Sequence, residues 1–179
     1  MHKVTAIIPT KNEAHNIESV LASVAWCDEI LVVDSFSTDN TVELAKKYTS
    51  RIIESEYINS ASQKNRAIPQ AAHEWILLVD ADELVTPELK NEIQELLKQD
   101  NIPHDAYWIY RKNYFMGKEV KYSGWQRDKV IRFFKRDTCR YEEKHVHAEV
   151  ITSGSVSKLK NKLGDIITTN YTIKLENLQ

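Results

Sequence analysis

The 179 residues predict an α/β fold, a mostly parallel sheet flanked by helices with a mixed or antiparallel second half. Three observations predict it. Between residues 3 and 97, short apolar runs alternate about four times with segments of helical periodicity, the pattern of a parallel sheet with right-handed crossovers. The run Trp75-Ile76-Leu77-Leu78-Val79 is apolar throughout and ends on Asp80-Ala81-Asp82-Glu83, as a strand buried on both faces does when it reaches a sheet edge. Beyond residue 98, Ala106 to Asn113 alternates aromatic with polar or charged residues, and Gly117, Gly124 and Gly154 mark turns, which suits antiparallel strands.

Val4 to Ile8 reads as the first strand, closed by Pro9. Ile17, Val20, Leu21 and Val24 recur at helical spacing, with Asn12 as the expected cap. Glu29 to Val33 is the second strand and ends at Asp34. A helix over Thr41 to Tyr48 follows, where Asn40 and Glu43 have the spacing of a capping box. Arg51 to Ile53 is a short third strand, and Ser60 to Ala72 is helical at its ends, with Pro69 interrupting or terminating it. After the Trp75–Val79 strand, Thr86-Pro87 supplies a cap and a first-turn proline for a helix whose apolar face is Leu89, Ile93, Leu96 and Leu97. Val130 to Phe134 and His145 to Ile151 are further strands, and Leu159, Leu163, Ile166 and Ile167 suggest a short helix. No linker separates the two halves, so residues 1–179 are read as one domain.

The composition is that of an ordinary globular chain, 42% hydrophobic and 28% charged. A net charge of -2 gives no reason to expect a nucleic-acid partner. No apolar run has the length of a membrane span, and the N-terminus enters a strand directly, so no signal peptide is expected. Cys27 and Cys139 suit a reducing compartment. The expected location is the cytoplasm, with peripheral attachment at the inner face of the plasma membrane as the alternative.

Chemistry-bearing residues gather at predicted strand ends. Asp80 and Asp82, two residues apart, are suited to one hard divalent cation, Mg²⁺ or Mn²⁺, bridging a diphosphate. A solvated strand end is the bland alternative. Thr10, Asn12 and Glu13 follow the first strand; Asp34, Ser35, Ser37 and Asp39 follow the second. In a parallel sheet all lie on the edge where ligands bind. Such acceptors suit a base, ribose or sugar, and neither a glycine-rich dinucleotide loop nor a Gly-Lys-Ser/Thr phosphate loop is present. Gln63-Lys64-Asn65-Arg66 offers amides and cations to the same edge. In the second half, Trp125, Arg127, Asp128, Arg132, Glu143, His145, His147 and Glu149 are candidates for acceptor binding, diphosphate contact or general base work. The two histidines also leave a zinc site open. Tyr107, Trp108, Tyr110, Tyr114 and Phe115 divide between core and sugar stacking.

Taken in order, Ile7-Ile8-Pro9-Thr10-Lys11-Asn12-Glu13, Val32-Val33-Asp34-Ser35-Phe36-Ser37-Thr38-Asp39-Asn40-Thr41, Gln63-Lys64-Asn65 and Asp80-Ala81-Asp82-Glu83 resemble the family 2 glycosyltransferases. Gly124-Trp125-Gln126-Arg127, Arg132-Phe133-Phe134 and Val146-His147 resemble the branch that includes bacterial lipopolysaccharide core glucosyltransferases. The likeness covers about residues 4–165. It implies a GT-A fold and inverting transfer from a nucleotide-sugar donor, usually with Mg²⁺ or Mn²⁺. By the same resemblance, residues 1–97 would bind the donor and residues 98–179 the acceptor, a glycan or glycolipid.

The resemblance also assigns roles. Thr10 and Glu13 would contact the nucleoside, and Asp34 the base, usually uracil. Lys64 would lie near the nucleotide. Asp80 would approach the donor ribose or sugar and Asp82 the metal. Arg127 and Arg132 would neutralise the diphosphate or hold the acceptor. The base is the point of departure: a glutamate usually follows the histidine directly, whereas here Ala148 separates His147 from Glu149. Either Glu149 serves as the base from a shifted loop, or that role is lost or moved, for instance to Asp128 or Glu143. Gly164-Asp165 stands where relatives tend to carry a histidine, and relatives often continue into further helices that touch the membrane. Two rival readings stand beside this one. A non-catalytic nucleotide- or sugar-binding module would have a degenerate site. A nucleotidyltransferase would call for a basic glycine-rich loop that Thr10-Lys11-Asn12-Glu13 does not supply.

Overall fold

The structure, a computed structural model, describes residues 1–111, 114–115, 118–119, 129–143 and 148–165. The first half runs β1 (Val4–Thr10), α1 (Ile17–Val24), β2 (Glu29–Asp34), α2 (Thr41–Ala45), β3 (Ile52–Glu54), α3 (Ser60–Ala67), β4 (Trp75–Leu78), β5 (Glu83–Val85) and α4 (Pro87–Leu97). The second half adds β6 (Ala106–Arg111), a small pair β7 (Tyr114–Phe115) and β8 (Lys118–Glu119), then β9 (Lys129–Lys135), β10 (Cys139–Tyr141), β11 (Val150–Thr152) and β12 (Val156–Asp165). Eight strands share one sheet in the order β3-β2-β1-β4-β9-β6-β12-β5. The first four are parallel, β9 is antiparallel to both its neighbours, β12 is parallel to β6, and β5 closes the edge antiparallel. This is the mixed α/β sheet that the alternation predicts.

Side-chain alternation divides the interior into two cores. Ala6, Ile8, Val32, Trp75 and Leu77 face α1 and α4. Ile7, Leu31, Val33, Ile76 and Leu78 face Ala61, Ala67 and Ile68, on α3 and the short turn after it. Trp75 stacks on Phe133 with ring centroids 4.7 Å apart, worth about 0.5–1.5 kcal/mol beyond the area buried. No helix among the described residues is long and apolar enough to cross a membrane.

The boundaries depart from the sequence reading for local reasons. β1 continues through Pro9 to Thr10. The Ile7 carbonyl accepts from the Val79 amide at 3.0 Å, so alternation turns the nitrogen of Pro9 to the same side, where β4 has ended and no ladder bond is lost. Of the two outcomes open at Pro69, termination holds: α3 stops at Ala67 and a 3-10 turn, Ile68–Gln70, follows. α2 stops at Ala45 instead of Tyr48. Thr86 does cap α4, accepting from the Leu89 amide at 3.3 Å.

The expected helix around Leu159 and Leu163 is instead strand β12. Both leucines are buried on the α4 side. Their four-residue spacing suits a helix, but as an even number it also keeps both on one face of a strand; the strand's pairing with β6 shifts between Lys158 and Lys162. Glu92 of α4 accepts from the Lys160 and Asn161 amides there, at 2.8 and 2.9 Å. These bonds satisfy backbone donors at the irregularity. Ile166 and Ile167, like residues 145–147 of the strand expected over His145 to Ile151, lie outside the described residues; of the rest, Ala148 and Glu149 are not in a strand and β11 covers the end.

A second irregularity bears on the site. In the β6–β9 pair, Tyr107 faces Phe133 and Trp108 faces Ile131, so Arg132 is an extra residue on β9. Phe133 belongs to the α1–α4 core, and Ile131 to the α3 core. The bulge turns Arg132 towards the α3 side as well, where it meets Tyr141 and Asp80.

Candidate active site

The ends of β1, β2 and β4 bring three loops to one edge of the sheet. The first two are laced together. Asn12 has a positive φ of 54°, a left-handed conformation that asparagine tolerates better than most residues. Its amide donates to Ser37 Oγ at 2.8 Å, and its Oδ1 accepts from the Thr38 amide at 2.8 Å. The Glu13 amide donates to Thr41 Oγ1 and the Ala14 amide to Asp39 Oδ2. Asn12 is therefore a bridge between loops, and Asn16 occupies the α1 cap position. Asn40 makes no side-chain cap; Asp39 accepts from the Thr41 amide at 3.0 Å in its place. Asp34 is buried and accepts from both the amide and the hydroxyl of Ser37, at 2.8 and 2.6 Å. Buried Ser35 accepts from Gln63 Nε2 at 2.8 Å.

The third loop carries a charge network. Lys64 Nζ lies 2.8 Å from Asp80 Oδ1, and Arg132 Nη2 pairs with Asp80 Oδ2. The same Nη2 donates to Glu83 Oε1 at 3.0 Å, while Glu83 Oε2 accepts the Asp80 amide at 3.0 Å. Arg132 Nη1 donates to the Tyr141 hydroxyl at 3.2 Å, and Lys64 stands over the Tyr141 ring. Burial opposes ionisation of Asp80, but the charges of Arg132 and Lys64 overcome it and hold the carboxyl well below the usual range. Burial, with Asp80 adding to it and Arg132 opposing, pushes the Glu83 carboxyl up. Burial and the Arg132 charge pull the Lys64 ammonium down. Burial pushes the Tyr141 hydroxyl to about 12 despite Arg132.

Two cavities flank this network. The first, about 360 Å³, is lined by Thr10, Glu13, Asp80 and Asp82 together with Tyr57 and Gln63. Thr10, one of its lining residues, has a buried hydroxyl without a hydrogen-bond partner, a group that native structures leave unpaired only rarely. The second, about 160 Å³, is lined by Lys64, Arg132, Tyr141, Trp108, Lys129 and Glu149, among others. The geometry thus gathers Thr10, Glu13, Asp80 and Asp82 in one cavity. Lys64, Arg132 and Glu149 line the other, while Asn12, Asp34 and Ser35 brace the loops. Glu143 is exposed and lines neither cavity. Arg127, Asp128, His145 and His147 lie outside the described residues.

Among the described residues no three His, Cys, Asp or Glu gather into a self-contained metal site. A Mg²⁺ or Mn²⁺ ion that leans on one carboxylate and a bound diphosphate needs no such group, and Asp82 on the cavity wall fits that arrangement. Asp80 is placed differently from an open ligand, because cations engage both its oxygens. Tyr57 and Tyr141 were not anticipated as site residues. Nothing in their local sequence marks them; only the fold brings them to the cavities.

The profile described as Glycosyl transferase family 2 matches residues 5–161. The chain belongs to this family. A relative in Rickettsia prowazekii, an uncharacterized glycosyltransferase, is 32% identical over 145 residues, 80% of this chain and 48% of that protein. Another in Rickettsia felis is 38% identical over 112 residues, 62% of this chain and 39% of that protein. The family 2 chain described here thus spans less than half the length of these curated relatives. The lipopolysaccharide core biosynthesis glycosyltransferase LpsC of Rhizobium meliloti is 27% identical over 164 residues, 88% of this chain and 60% of LpsC; this likeness sets the chain near the lipopolysaccharide core branch. A crystal structure of S. aureus TarS aligns with 91% of this chain and 60% of its own, at TM-score 0.63 and 20% identity. The shared fold is GT-A.

Proposed function

We propose that this chain carries the donor site and chemistry of a metal-dependent, inverting glycosyltransferase. It would move a sugar from a UDP-sugar to a cell-envelope glycan such as the lipopolysaccharide core. One observation carries the reading: a roomy cavity at the C-terminal edge of the parallel strands, walled by Thr10, Glu13 and Asp82, where open α/β sheets bind ligands. Two relatives favour the finer assignments. LpsC is named for lipopolysaccharide core biosynthesis, and TarS has a structure in complex with UDP-GlcNAc. A lipid-linked acceptor would bring the chain to the inner face of the plasma membrane.

In this reading Thr10 Oγ1 and Glu13 hold the nucleoside, with Asp34 and Ser35 supporting their loops. Asp82, on the cavity wall, would hold the cation beside the diphosphate. When bound, that cation neutralises charge developing on the leaving group. Glu149, on the wall of the second cavity, takes the proton of the acceptor hydroxyl; Ala148 shifts it one residue from the family's usual place. The hydroxyl attacks the anomeric carbon opposite the diphosphate, forming the new glycosidic bond as the old one breaks. Residues 1–179 would work as a single domain, with 1–97 on the donor side and 98–179 on the acceptor side.

Calorimetric titration of UDP with and without Mn²⁺ tests the donor site. Wild type should bind UDP in a metal-dependent manner, and Asp82→Ala should lose the metal dependence while keeping its fold. Equal affinity with and without the ion in wild type would exclude the assignment of Asp82.

A further inference from the structure

We propose that the second cavity is a binding site for a saccharide bearing a carboxylate or phosphate, separate from the donor cavity. Its role as the acceptor subsite rests on the transferase reading above; the binding chemistry does not.

The argument begins with unspent donors. Arg132 is 3% exposed and lines this cavity. Its Nη2 serves Asp80 and Glu83, its Nη1 serves Tyr141, and its Nε has no partner. A guanidinium carries five N–H donors and an ammonium three. Lys64, 6% exposed and on the same wall, is paired with Asp80 and the Tyr141 ring, which leaves ammonium hydrogens available. Buried cations with donors in reserve along a cavity call for an oxygen-rich ligand.

The remaining wall adds a platform and a third cation. Trp108 is half-buried, and Lys129 Nζ stands 4.7 Å from its ring centroid. Ile131 and Val150 complete an apolar side. An aromatic face beside cations matches the apolar faces and acidic substituent of an anionic sugar. Three cations and one carboxylate, Glu149, line the space. Asp80 and Glu83 engage Lys64 and Arg132 without lining it. They hold the cations in place and reduce their net charge, so Lys129 supplies the charge most open to an incoming acid.

Glucuronate and glucose 6-phosphate are the probes, with glucose and inorganic phosphate as controls. Each is titrated into the full chain by calorimetry, with and without UDP and Mn²⁺. The expected result is binding of at least one anionic sugar about tenfold tighter than glucose and inorganic phosphate, without displacement by UDP. Lys129→Gln, an exposed position, should weaken that binding about fivefold or more while UDP affinity stays unchanged; Trp108→Leu should weaken it too. Displacement by UDP, equal binding of glucose, phosphate binding as tightly as the sugars, or no effect of Lys129→Gln would overturn the proposal. If UDP fails to bind and the anionic sugar still does, the site stands and the donor reading falls.

Discussion

Asp80 shows how one side chain is fixed by what surrounds it. Its carboxylate is shared by Lys64 and Arg132, and its amide is held by Glu83. Asp80→Asn removes the anion and leaves two buried cations without it. Breaking a buried pair in this way costs about 3–5 kcal/mol; because Asp80 keeps 30% of its side-chain exposure, the lower end of that range is expected in urea unfolding. The pH dependence follows from its depressed pKa. The stability Asp80 contributes is complete above about pH 5 and is lost as the pH falls through about 4 and below. The stability gap between wild type and Asp80→Asn should therefore be flat from pH 6 to 8 and narrow in acid. Glu83 acts with the opposite sign, since its raised pKa favours the protonated folded form. Asp80 and Asp82 were legible in the sequence as a strand end at the ligand edge. Arg132 was legible as a candidate as well, but its pairing with Asp80 was not, because 52 residues separate the two and only the antiparallel placement of β9 beside β4 joins them.

Among the elements, α4 shows why some boundaries could be read in advance. Thr86 and Pro87 act within one turn, so their sequence suffices. Thr86 also donates to the Lys162 carbonyl at 3.1 Å, tying the cap to β12. Thr86→Ala should cost about 0.5–2 kcal/mol, towards the upper end because two bonds are lost, as a shift in the denaturation midpoint with an unchanged m-value. β12 is the contrary case. Leu159 and Leu163 carry a helical spacing, yet pairing with β6 and β5 and the Glu92 carboxylate decide the outcome. Those determinants are long-range, and no window of local sequence contains them. The same holds for Asn12, whose partner Thr38 is 26 residues away.

For the molecule as a whole, the change of pattern near residue 98 is a change of strand direction within one sheet. β4 pairs with β9, and among the described strands β5 pairs only with β12. A piece ending at residue 97 would leave one edge of β4 open and β5 without its partner, exposing ladder groups and apolar surface. Residues 1–97 alone should therefore show no cooperative unfolding transition, whereas the full chain should unfold in one step followed by both tryptophan fluorescence and circular dichroism. A cooperative, soluble 1–97 piece would show that the parallel half is self-sufficient. The parallel half and the edge carrying the larger of the two cavities were readable from alternation alone; the order of the later strands depends on pairings that composition does not specify.

The extra residue at Arg132 has an evolutionary consequence. It gives that stretch of β9 one position more than the facing stretch of β6 requires, and the surplus is what sends the arginine towards Asp80. Length and chemistry are therefore inherited together. Among descendants of a common ancestor, a chain that has dropped the arginine is free to drop the surplus position too, and a one-residue gap should appear immediately before the counterpart of Phe133. Chains that keep the arginine should keep the count.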